Sequence, residues 1–214
     1  MNLSDSEMEF LADYIVESEA IENIERSREE VLAELMLGKT DGHVGAYLYL
    51  FAAHKRGEMI SGKMIRHVQG LIVSEQPKFG ARTLHSSQIG KWRKVGVSVG
   101  GRQCPHSSTV PGLMKQFVAD VRHMQKHIWQ TMTAKENVCF TASAHFAYLH
   151  IHPFVDGNGR SSRAISYFLY RHTNLSPFLF TARDRHVTYY QCFEEPKDMM
   201  GYFLERTNLS VSAR

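Results

Sequence analysis

The chain has 214 residues, of which 43% are hydrophobic and 22% charged, with a formal net charge of +3. That length suits one well-buried domain plus a small appendage, no run reaches the roughly 20 apolar residues that span a bilayer, and the slight positive excess does not argue for nucleic acid. Cys104, Cys139 and Cys192 are odd in number and far apart, which speaks against a disulfide framework and for a reducing compartment, read here as the cytoplasm. The acidic start from Met1 to Glu7 is unlike a signal peptide.

Residues 5 to 37 predict two helices, one with Phe10, Leu11, Tyr14 and Ile15 as its stripe, the other with Ile24, Val31, Leu32 and Leu35. Between them Ser18 and Glu22 are four apart and share a helical face, and Asn23 is a plausible terminator. Val44 to His54 is apolar almost all round and reads as a core helix; Ile60 to Val73 reads as another. From Pro77 to Pro111 glycine, serine and threonine take over. Within that stretch Val95, Val97 and Val99 alternate with Gly96 and Ser98 before Gly100-Gly101, which predicts a β-hairpin. Gly112 to Thr131 is again helical. His123 and His127, or His145, His150 and His152, have no cysteine or carboxylate cluster beside them to complete a metal site.

Helices are also predicted over Lys135–Ile151 and Ser162–His172, so His152 to Arg163 is a helix-loop-helix joint. Gly157 and Gly159 let the main chain turn and come close to a ligand, and amides running into a helix start make an anion cradle. Arg160 and Arg163 are three apart and can reach into one volume, where two guanidinium forks suit a polyphosphate. Asp156 puts a carboxylate where that anion would bind, which points to Mg²⁺ shared between carboxylate and phosphate. His152 is the nearby base suited to neutral pH. The plain alternative is a glycine turn with solvated arginines and an incidental histidine.

The run His152-Pro153-Phe154-Val155-Asp156-Gly157-Asn158-Gly159-Arg160-Ser161-Ser162-Arg163 resembles the H-P-F-x-D-G-N-G-R-x-x-R signature of Fic domain proteins. The resemblance implies an all-α Fic-type helical bundle with a short β-hairpin flap, here at about 90–104, and transfer of AMP from ATP to a Ser, Thr or Tyr hydroxyl of a target protein. It implies His152 as general base, Asp156 as Mg²⁺ ligand, and Gly157, Asn158, Gly159, Arg160 and Arg163 as nucleotide-binding, with Phe154 packed inward. The pair Tyr189-Tyr190 resembles the tyrosines that follow the signature in many family members, with Tyr190 on the adenine side. Ser18 and Glu22 resemble the inhibitory motif S/T-x-x-x-E-G/N, with Asn23 in the last position. In that reading residues 1–38 form an inhibitory helical segment ahead of a catalytic core at 39–214, and Glu22 pairs with Arg163 to misplace ATP.

Two other readings share these residues. The same site can serve removal of AMP or transfer of another phosphate-containing group, or the fold can be a non-catalytic nucleotide-sensing module. The partners expected are ATP and a target with its hydroxyl in an extended segment, with a homodimer compatible and neither nucleic acid nor membrane involved. Leu175 to Phe180 reads as a connector, Met199 to Leu209 as the final helix, and Ser210 to Arg214 as a frayed end.

Overall fold

Hydroxyl caps start four of the helices. Ser4 and Thr133 each form a reciprocal capping box with a glutamate three residues on, Glu7 and Glu136, and Ser27 and Ser61 accept single backbone N–H bonds. The computed structural model describes residues 3–209; the expectation of a frayed end at 210–214 lies outside them. The order is α1 (Asp5–Ala20), α2 (Arg28–Met36), α3 (Gly42–Lys55), α4 (Gly62–Glu75), β1 (Ser98–Val99), β2 (Arg102–Gln103), α5 (Val110–His127), α6 (Ala134–Ile151), α7 (Asn158–His172) and α8 (Pro196–Arg206). The fold is all-α with one small hairpin.

Helix α3 is buried on nearly every side, as its apolar run predicts, and lies on α4; α7 lies at the centre, against α3, α4 and α6. One hydrophobic cluster runs from Leu11, Tyr14 and Ile15 in α1 through Val44, Ile65, Tyr148 and Phe168 to Phe203 in α8. The described residues before and after the expected boundary at 38/39 therefore share a core. Asn23 does terminate α1. It sits at φ +59, with Ile24 N–H donating to Glu19 O and Asn23 N–H to Ala20 O, both at 3.0 Å.

Three boundaries differ from the sequence reading. Helix α7 starts four residues before Ser162, because Gly157 at φ +76 turns the chain and lets Asn158 open the first turn. The hairpin is shorter than its valine alternation suggests: only Ser98 with Gln103 and Val99 with Arg102 pair, across Gly100 and Gly101 at φ +56 and +82. Its extension towards Val95 stops where the Val95 carbonyl accepts from the Arg93 guanidinium at 3.0 Å. The final helix begins at Pro196, which suits a first helical position, after irregular turns over Arg185–Phe193 that carry Tyr189 and Tyr190.

Candidate functional site

Helix α6 ends at Ile151, and His152 turns the chain in the left-handed region at φ +49, ψ +63. Its Nδ1–H points to the Leu149 carbonyl at 3.4 Å, which leaves Nε2 as the free acceptor. Burial, aided by Arg93 and Arg102 and opposed by the Leu149 carbonyl and Glu22, lowers the imidazole pKa to about 4. The ring is thus neutral at physiological pH and able to take a proton. Phe154 is fully buried beneath it, 4.9 Å from the Trp92 ring.

Asn158 closes the loop on itself. Its Oδ1 accepts from Phe154 N–H at 2.9 Å and its Nδ2 donates to Phe154 O at 3.0 Å. At 2% exposure the side chain shapes the bend. Gly157 has a second reason to be glycine besides its angle: a Cβ there would meet Val73 Cγ1 at 2.6 Å.

Helix α4 and the residue that caps its C-terminus support the loop through two glutamines. Gln69 donates to the Asp156 carbonyl at 3.1 Å and accepts from Gly90 N–H at 2.7 Å. Gln76 donates to Asp156 Oδ2 at 3.0 Å while its own Oε1 accepts from Arg160 Nη2 at 2.6 Å. Asp156 Oδ1 also accepts from Gly157 N–H and lies 3.5 Å from Arg160. Arg160 Nε and Nη1 are buried without a partner.

Arg163 is the largest fully buried side chain described. It donates through Nε to Ser18 Oγ at 2.9 Å, and through Nη2 to Ser18 O at 2.7 Å and Glu22 Oε1 at 2.8 Å, while Tyr14 OH donates to its carbonyl at 3.1 Å. The Glu22 carboxylate sits over Gly159, where a Cβ would come within 2.3 Å of Oε1. An anionic group therefore already rests at the start of α7, where helix amides favour negative charge.

A cavity of about 280 Å³ opens here, lined among others by Glu22, His152, Gly159, Arg163, Tyr189 and Tyr190, with Val99, Gly100 and Arg102 of the hairpin on its rim. The structure brings Ser18, Glu22 and Arg163 together, and puts His152, Tyr190 and the hairpin on the same cavity. It separates the two arginines: Arg160 turns to Gln76 and Asp156 and does not line the cavity, so the expectation that both reach one volume is corrected. Residues three apart on a helix are about 60° apart in direction, enough for different neighbours to claim them. Tyr189 is buried, its hydroxyl 2.7 Å from His145 Nε2.

Gln69, Gln76 and Arg93 went unread in the sequence. The two glutamines did leave a trace: Gln69 is four residues after Ile65 and Gln76 four after Ile72, polar positions in an apolar helical stripe.

Residues 60–170 match the profile of the Fic/DOC family. Protein adenylyltransferase Fic of Aedes aegypti is 32% identical over 100 residues, which cover 47% of this chain and 19% of that protein. The Drosophila grimshawi protein of the same name is 31% identical over 101 residues, covering 47% and 20%. The chain spans about a fifth of the length of the curated relatives it matches. Among solved structures, a Fic-domain-containing signalling protein from Bacteroides thetaiotaomicron has a TM-score of 0.66 at 20% identity, covering 94% of this chain and 82% of that one. Fic-1 from C. elegans has a TM-score of 0.71 at 17% identity, covering 96% and 64%. Those two likenesses are of fold.

Proposed function

The chain belongs to the Fic/DOC family, and from that premise we propose that it is a protein adenylyltransferase, moving AMP from ATP to a Ser, Thr or Tyr hydroxyl, and that Glu22 holds it in an off state. The observation that carries the reading is the neutral imidazole of His152 lining one cavity with an Arg163 guanidinium already engaged by a carboxylate at the start of α7. A γ-phosphate is the chemical equivalent of that carboxylate. Binding it requires Arg163 to exchange Glu22 for phosphate oxygens, which keeps the buried guanidinium paired with an anion.

In the transfer step the acceptor oxygen attacks the α-phosphorus, the bond to pyrophosphate breaks, and the hydroxyl proton passes to His152 Nε2. Amides at the start of α7 and the Arg163 guanidinium on the cavity wall suit the charge on the phosphates. Asp156, one-third exposed and with acceptor capacity left on Oδ2, fits Mg²⁺ as the single protein carboxylate, the remaining ligands being phosphate and water. The cation would supply charge neutralisation on the phosphates. Tyr190, on the cavity wall, offers an aromatic face to the base. The hairpin rim offers an edge to an extended acceptor segment.

The test is labelling with α-labelled ATP and Mg²⁺. Wild type should label itself weakly, Glu22→Gly at least tenfold more, and His152→Ala in the Glu22→Gly background not at all. Equal labelling by wild type and Glu22→Gly removes the off state; labelling that survives loss of His152 removes the general base.

A further inference from the structure

Arg93 is 2% exposed, and every bond it makes is to a backbone carbonyl. No carboxylate pairs with it among the described residues, and burial lowers its pKa. A cation placed this way is costly unless its donors are all used. Every nitrogen is used, four bonds in all, on two pieces of chain. Nε donates to His152 O at 2.8 Å, and Nη2 reaches Ile151 O at 3.3 Å, at the carbonyl end of α6. Nη1 donates to Val95 O at 3.0 Å and Nη2 to Pro105 O at 2.5 Å, the residues that enter and leave the hairpin region. The main-chain N–H of Arg93 donates to Pro153 O at 2.9 Å.

The arrangement brackets His152. Its left-handed backbone turns its carbonyl away from the helix, and Arg93 takes that carbonyl while a neighbouring donor takes the carbonyl of Pro153. A planar guanidinium fork fixes directions as well as distances, which a flexible ammonium does not. We propose that Arg93 is a positioning residue that couples the hairpin to His152, so that an acceptor segment paired to the hairpin presents its hydroxyl in register with Nε2. The inference rests on the adenylyl-transfer reading.

The experiment uses the full chain in the Glu22→Gly background, with Arg93→Lys, Arg93→Gln and Pro105→Gly. Glu22→Gly alone must label; if it does not, the reading beneath fails before Arg93 is at issue. ATP affinity measured by calorimetry should stay within about threefold in all variants, whereas single-turnover AMP transfer should fall on the order of a hundredfold in Arg93→Lys and Arg93→Gln, as misregistration of reacting groups does. The charged groups facing His152 are Arg93, Arg102 and Glu22. Glu22→Gly removes the last, so the acid limb of the rate profile should lie at higher pH in Arg93→Gln than in Arg93→Lys. Should the Arg93 variants fail to fold, Pro105→Gly loosens the same junction from the hairpin side and should lose transfer several-fold at unchanged ATP affinity. Transfer retained in the variants that fold, or lost only in proportion to ATP affinity, overturns the proposal.

Discussion

Gly157 and Gly159 are two residues apart and are required for different reasons. Gly157 needs its left-handed angle and has Val73 against it, so Gly157→Ala combines backbone strain with overpacking. A loss of about 2–4 kcal/mol is expected in urea unfolding, with the loop opened. Gly159 has ordinary helical geometry, and a methyl there meets only the end of the Glu22 side chain and Arg163. Gly159→Ala should therefore leave stability within about 1 kcal/mol, since alanine is the better helix former, while displacing the carboxylate. The check is the Arg163 Nε–H signal in nitrogen-edited NMR: it should move in Gly159→Ala and stay in Gly157→Ala variants that remain folded.

Between α6 and α7 the bend is held by Asn158 more than by its glycines. Replacing it with alanine strips partners from two buried Phe154 backbone groups, each costing about 1–3 kcal/mol when left unsatisfied. Asn158→Ala should thus lower the urea midpoint sharply, and Asn158→Asp, which keeps the acceptor but not the donor, should recover part of it. The sequence made this element readable because its chemistry is local: two glycines, a base, a carboxylate and two arginines fall within twelve residues. The supports were not readable for the opposite reason. Gln69 and Gln76 reach Asp156 from 87 and 80 residues away, and Arg93 reaches His152 across 59. No spacing rule connects such residues before α4 is laid under the loop. Arg160 shows the same limit, since periodicity gave its helix face but not the neighbour that turned it to Gln76.

Across the whole molecule, buried neutral histidines set the response to acid. His145, with Ser166 and Tyr189 at its two nitrogens, is pushed by burial down to about 3, and His152 to about 4. Both folded values lie below the unfolded value of about 6.5, so the unfolded chain takes up protons first. The stability these rings contribute is complete above that value and drains as pH falls towards 4 and 3. From pH 6.5 to 5 His145 alone should cost about 2 kcal/mol. The thermal midpoint should drop over that interval, and His145→Gln, weaker at pH 7, should show a flatter decline.

The shared core also constrains how the proposed off state would be released. Leu11, Ala12, Ile15 and Ile21 have no exposure, and Tyr14 is packed among Tyr47, Tyr167 and Phe180 while its hydroxyl holds the Arg163 carbonyl. Peeling α1 off would strip the interior of apolar cover at about 25 cal/mol per Å², far more than a single ion pair returns. Glu22, by contrast, is the last non-left-handed residue of the α1 turn and keeps 29% of its side chain in solvent. Activation is therefore expected to be a swing of one carboxylate, with the helix behind it staying seated. Hydrogen exchange should find the amides of Leu11 to Ser18 equally slow in wild type and in Glu22→Gly.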